Sequence, residues 1–162
     1  MKRILFVIVL SLAPFVLQGQ VKSINDILDK YEKKKNVESI MVSPELLQLA
    51  GSSETNESTK QLLSKLSELR ILSVKASAVE NGTKLSQLLR EDLDKMIVAE
   101  KMSRILRVQD GNELMEMYKT KATKGALLFL TTSANEFTVI SIFGEIDPSV
   151  VNAAISGEIG IK

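Results

Sequence analysis

The sequence predicts an α+β fold: an antiparallel sheet closing in a C-terminal four-strand meander, with helices packed on one face. Three observations predict it. Two apolar runs, Ala126–Leu130 and Phe137–Phe143, flank the polar turn-former TTSANE and read as a hairpin in the middle of the sheet. Asp110-Gly111 lies between two further strand-like runs, 103–108 and 113–119, where a tight turn with positive φ suits the twist of paired strands. Residues 84–102 carry Leu85, Leu88, Leu89, Leu93, Met96 and Ile97 at helical period. Strands grouped in a block and joined by short turns pair antiparallel, and the helices are expected to cover one side.

Taken in order, the chain opens with MKRILFVIVLSLAPFVLQGQ. Lys2 and Arg3 form a positive start, Ile4 to Leu17 an apolar core, and Gly19 a small residue before the cleavage point expected after Gly19 or Gln20. The competing reading is a membrane anchor. It is disfavoured because the apolar run is shorter than the roughly 20 residues a bilayer core needs, and Pro14 interrupts it. Residues 1–19 are therefore read as a signal peptide and 20–162 as a single domain, with no later run long enough to span a membrane. There is no Cys to carry a lipid.

Residues 23–35 are expected to be helical, with Ile24, Ile27, Leu28 and Tyr31 on one face and Lys33–Lys35 at the end, where cations suit the helix dipole. Val37–Val42 (VESIMV) reads as a first strand. Ser43-Pro44-Glu45 starts a helix, with Ser43 as N-cap and Pro44 at the first position, which Gly51 is expected to stop. Residues 51–60 are the most polar stretch and read as a surface loop. A short helix is expected over 61–66, then a strand over 68–75. The rival there is one continuous helix through Leu62, Leu66, Leu69 and Leu72, but Ile71, Ser73 and Val74 favour the strand. Asn81-Gly82-Thr83 is read as loop and cap before the long helix. Asp147-Pro148-Ser149 starts the closing helix, whose buried side is expected at Val150, Val151, Ala154 and Ile155.

Composition excludes whole classes of chemistry. The chain has no Cys and no His. Disulfides, His/Cys zinc sites, Cys-ligated iron–sulfur clusters, thiol nucleophiles and any Ser–His–Asp relay are therefore impossible. Formal net charge is +1, and removing Lys2 and Arg3 leaves 19 basic against 20 acidic residues, so no basic face is indicated for nucleic acid. Aromatic residues are only 4%, too few for a stacking platform. No phosphate-binding glycine loop and no nucleophile elbow is present.

Carboxylates are what remains. Glu145 with Asp147, and Glu91, Asp92 and Asp94 on the long helix, are the pairs that general acid–base work would draw on. An N-cap role explains Asp147 and a solvated face explains the helix acids, so no catalytic residue is assigned. Asp110-Gly111-Asn112-Glu113 offers too few oxygen ligands for calcium and reads as a turn. Asn56-Glu57-Ser58 and Asn81-Gly82-Thr83 fit the glycosylation pattern, which short chance matches also produce. Met96, Met102, Met115 and Met117 lie in apolar stripes and read as core filling. No cofactor and no metal is expected.

Several stretches together resemble a known family: the leader followed by a helix ending at Tyr31, VESIMV leading into SPELLQLA, the long helix before the Asp-Gly hairpin, and the ending FTVISIFGEIDPSVV with Gly144-Glu145-Ile146-Asp147. The chain is similar to the exported Bacteroidetes-type domain of unknown function DUF4252. The resemblance implies a small exported protein of the periplasm or outer envelope and brings no catalytic residues. The expected function is a non-enzymatic interaction or accessory module with an unidentified envelope protein as partner. The alternative is a carrier of a small apolar ligand or peptide between helices and sheet.

Overall fold

The computed structural model describes residues 13–156, with side chains from residue 21 onward. The positive start and the first part of the apolar core of the expected leader, and the tail GEIGIK, lie outside the described residues. The elements are α1 (Ala13–Glu32), β1 (Val37–Val42), α2 (Pro44–Ser53), α3 (Glu57–Lys65), β2 (Leu66–Lys75), β3 (Val79–Glu80), β4 (Thr83–Lys84), α4 (Leu85–Ala99), β5 (Ser103–Asp110), β6 (Glu113–Lys119), β7 (Lys124–Thr132), β8 (Glu136–Glu145) and α5 (Pro148–Ser156). The fold class is α+β, with β5 to β8 forming the antiparallel meander. No helix among the described residues is long and apolar enough to cross a membrane.

Six strands form one sheet in the order β1-β2-β8-β7-β6-β5. The expected central hairpin, β7–β8, is central. Ala126, Leu127, Leu128, Phe129 and Leu130 are all at most 3% exposed. A strand that is apolar without alternation must be covered on both faces. The helices, expected on one face, accordingly divide between two. Leu128 and Leu130 join Ile24, Leu28 and Tyr31 of α1 and Leu89 and Leu93 of α4 in one core. Leu127 and Phe129 join Leu47 of α2, Leu62 of α3 and Val150 of α5 in the other.

Local signals explain most boundaries. Ser43 Oγ accepts from Leu46 N at 3.3 Å and caps α2, with Pro44 at the first helical position. Asp147 Oδ1 accepts from Ser149 N at 2.9 Å and Val150 N at 3.1 Å and caps α5. Of the side expected to be buried there, Val150 and Ala154 are buried, Ala153 joins them, and Ile155 is 53% exposed.

Several boundaries move, among them the start of α1, at Ala13 instead of residue 23, and of β2, at Leu66 instead of residue 68. α1 ends at Glu32, so the three lysines follow it. α2 runs through Gly51 to Ser53, and the buried Gly51 packs beside Leu63 of α3. The polar stretch 51–60 is only partly loop: Asn56 Oδ1 accepts from Ser58 N and Thr59 N, starting α3 four residues before the expected position. Asn81-Gly82 is the turn of a small hairpin, β3–β4, with φ of 51° and 81°.

The β5–β6 turn is centred on Gly111-Asn112, since Asp110 pairs with Glu113. Positive φ falls on Gly111 alone of these two, as a first-position glycine turn requires. α4 ends in a reciprocal cap in which Lys101 N donates to Val98 O and Met102 N to Ile97 O, with Lys101 in the left-handed region at φ 52°.

Gly144 explains the GEID ending. Its φ is +144°, and a Cβ there would lie 2.2 Å from Lys65 O and 2.9 Å from Leu66 Cα. The bulge in β2 between Leu66 and Glu68 presses its backbone against Gly144. Gly144→Ala should therefore destabilise the protein by at least ~2 kcal/mol in urea unfolding, since backbone, not a flexible side chain, must move. A change under about 0.5 kcal/mol would contradict this packing.

Candidate functional site

The carboxylates nominated by sequence are engaged in structural contacts or stand in solvent. Asp92 Oδ2 accepts from Lys30 Nζ at 2.7 Å and Tyr31 Oη at 2.8 Å, tying α4 to α1. Burial opposes its charge, but these two donors hold it below the usual carboxylate value. Burial, and then the Asp92 carboxylate, push the Tyr31 hydroxyl well above its usual range. Asp94 accepts from Arg90 Nε at 2.9 Å and Glu91 from Gln87 Nε2 at 3.0 Å, both along one helix. Asp147 also accepts from Lys65 Nζ at 2.6 Å, and that lysine, with Ser149 and the Val150 amide, keeps the carboxyl strongly acidic. Glu145 is exposed. No two of these carboxylates face each other across a shared cavity among the contacts described.

Two buried charges were not legible in advance. Arg70, on β2, is 4% exposed. Its guanidinium lies 2.7 Å from Asp29 Oδ1 and 2.9 Å from Glu32 Oε2, and donates to Asn25 Oδ1 at 3.1 Å. All three partners are on α1, at a spacing that puts them on one helix face. Glu116, on β6, is 3% exposed. It accepts from Arg90 of α4 at 2.6 Å, Arg104 of β5 at 3.1 Å and the Tyr118 hydroxyl at 3.1 Å. Burial opposes its charge, and the hydrogen bonds led by Arg90 overcome it, holding its carboxyl below 4.5. The sheet thus presents a cation under α1 and an anion under α4. Each helix carries the opposite sign.

A cleft of about 800 Å³ opens at one end of the central strands. α1 gives Val21, Lys22 and Asn25; Lys65 and Ser67 flank the β2 bulge; Phe143 and Gly144 form the β8 wall, and Lys124 the β7 side. Its chemistry is an apolar wall with three lysines and Glu145. A smaller hollow of about 420 Å³ lies between Ile105 of β5 and Val151 and Ile155 of α5. The methionine reading holds for Met96, Met102 and Met117, which are buried, whereas Met115 is 39% exposed. Asp110 and Glu113 stand in solvent at the tip of the β5–β6 hairpin.

The sheet has two terminal strands. β1 carries four successive exposed residues, Glu38 to Met41. β5 is exposed along its length except at Leu106. Neither is covered by another strand.

Compared with known proteins, residues 31–154 match the family model described as a domain of unknown function, DUF4252. No curated protein and no solved structure matches the chain.

The Glu116 contacts set an acid limb. A carboxyl whose pKa is lowered on folding stabilises fully above its unfolded value, here 4.5, and loses that contribution as pH falls through the folded value. Glu116→Gln should cost about 2 kcal/mol at pH 7, less than the roughly 3–5 of a fully buried pair because Arg104 is half exposed. It should also flatten the loss of stability below about pH 4.5. Urea midpoints measured from pH 7 to 3 check both. Parallel pH profiles for variant and parent would contradict the assignment.

Proposed function

Since the chain belongs to the DUF4252 family, a domain of unknown function, we propose that it is an exported, non-enzymatic interaction module of the periplasm or outer envelope. The observation carrying this reading is the pair of uncovered sheet edges. They offer rows of backbone donors and acceptors to a partner, while Glu91, Asp92, Asp94 and Asp147 serve a cap, a helix face and ties between elements. Main-chain hydrogen bonds supply affinity in such a contact, and the exposed side chains of alternate residues supply choice. The leader read from Lys2 to Gln20 supports export.

A second reading, a carrier of a small ligand, is favoured by the cleft beside Val21, Phe143 and Gly144. Its volume falls in the roughly 300–1,000 Å³ range of small-molecule sites, and its apolar wall suits an apolar body. Lys22 and Lys124 would favour a ligand with an acidic end, Lys65 being held by Asp147.

One experiment separates the two. The full chain is expressed in its own host, lightly crosslinked, recovered from the envelope fraction and examined by native mass spectrometry. The contact reading expects a reproducible protein adduct whose crosslinks fall beside β1 or β5. The carrier reading expects a constant added mass of a few hundred daltons. A bare mass in every preparation contradicts both.

A further inference from the structure

We propose that removal of the leader completes the cleft beside Phe143 and Gly144 as a site for a single-chain amphiphile with an anionic head. This deepens the carrier reading above and rests on it. It names the ligand class and the event that readies the site.

The cleft has the two parts such a molecule needs. Val21 of α1 and Phe143 of β8, with the backbone of Gly125 and Gly144, give an apolar wall. Burying a hydrocarbon tail against it supplies affinity without direction. Charge supplies the direction. Lys22 on α1 and Lys124 on β7 both line the cleft, and both are exposed. Lys65 is occupied by Asp147, and Glu145 stands opposite Lys124 in the β7–β8 register. Glu145 offsets one of the two free lysines. Among the described residues, the lining of the uncut chain therefore holds one cation in excess.

α1 supplies the rest. It runs without a break from Ala13 to Glu32, through the expected cleavage point after Gly19 or Gln20. In an unbroken helix each amide finds its acceptor four residues back. A cut after Gly19 puts a new α-amino group on Gln20. It also removes the carbonyls of residues 17–19, the acceptors for the amides of Val21, Lys22 and Ser23. Val21 and Lys22 are cleft residues. An α-amino group titrates at about 7.7–8.0 and is largely protonated at pH 7. Cleavage thus adds a second excess cation and three donors without acceptors beside the same wall, and both favour an anion. A cut after Gln20 shifts these groups by one residue and has the same effect.

The shortened helix is held where it is. Ile24 and Leu28 are buried in the core, and Ser23 Oγ donates to Glu100 Oε1, just past α4, at 2.8 Å. The new end is anchored within its first turn, next to the cleft.

The test is a calorimetric titration of the processed chain, recovered from its own host and delipidated. The probes share one tail: dodecanoate, dodecyl phosphate, dodecanol and dodecyltrimethylammonium. Both anions should bind at least about tenfold more tightly than dodecanol, and the cation more weakly than dodecanol. The tighter of the two anions tells a fatty-acid head from a phospholipid head. Lys22→Ala, Lys124→Ala and acetylation of the α-amino group alone should each weaken anion binding by about two- to fivefold. Dodecanol binding should not change in any of them, which also shows that the variants are folded. Equal affinity for dodecanoate and dodecanol, or an anion preference that acetylation leaves intact, overturns the proposal, while the carrier reading stands on dodecanol. Failure of every probe to bind overturns both.

Discussion

The constraint on which this structure depends is the burial of β7 and β8 on both faces. Fully removing a Leu or Phe side chain from water stabilises by about 1.5–3 kcal/mol, and β7 does so at consecutive positions that point to opposite sides. One helical layer would leave Leu127 and Phe129, or Leu128 and Leu130, in solvent. Two layers are therefore required. The chain supplies α1 and α4 for one side and α2, α3 and α5 for the other. The position of β2 follows too. It pairs with β8 across a long sequence separation and closes the exposed flank of the hairpin.

Buried charge adds direction to that hydrophobic frame. Apolar stripes alone let a helix rotate or slide by a turn at little cost. Arg70 beneath Asp29 and Glu32, and Glu116 beneath Arg90, penalise any arrangement that leaves either charge alone. The opposite signs also penalise exchanging α1 and α4. Ion pairs of this kind add little net stability against apolar replacements. Here their effect lies in fixing which helix sits where. The uncovered edges, and the cleft beside the Gly144 bulge, are what that fixed packing leaves open.

Much of this was legible in the residues. VESIMV, the Ser43-Pro44 and Asp147-Pro148 caps, the α4 stripe and the β7–β8 hairpin needed only local rules. The unbroken apolar run at Ala126–Leu130 already implied cover on two faces, yet the grouping of strands suggested cover on one. The run was the stronger signal, because it is set by burial and not by chain order. Asn56 was hidden because a polar stretch reads as loop unless its capping side chain is weighed against the helix that follows. The hairpin turn moved by one residue because φ > 0 was needed at Gly111 alone. Arg70 and Glu116 could not be read: each looks like the solvent-facing member of an alternating strand until the helix above it is known. Asn25, Asp29 and Glu32 on one face of α1 were the available hint of the former.

Site-resolved hydrogen exchange of the folded chain tests the two-sided core most directly. The amides of Ala126–Leu130 and Phe137–Phe143 should exchange last, and only through global unfolding, with the helices of both layers opening earlier or together with them. Slower exchange in α1 or α4 than in β7 and β8, or early exchange along β7, would contradict a fold built around that hairpin.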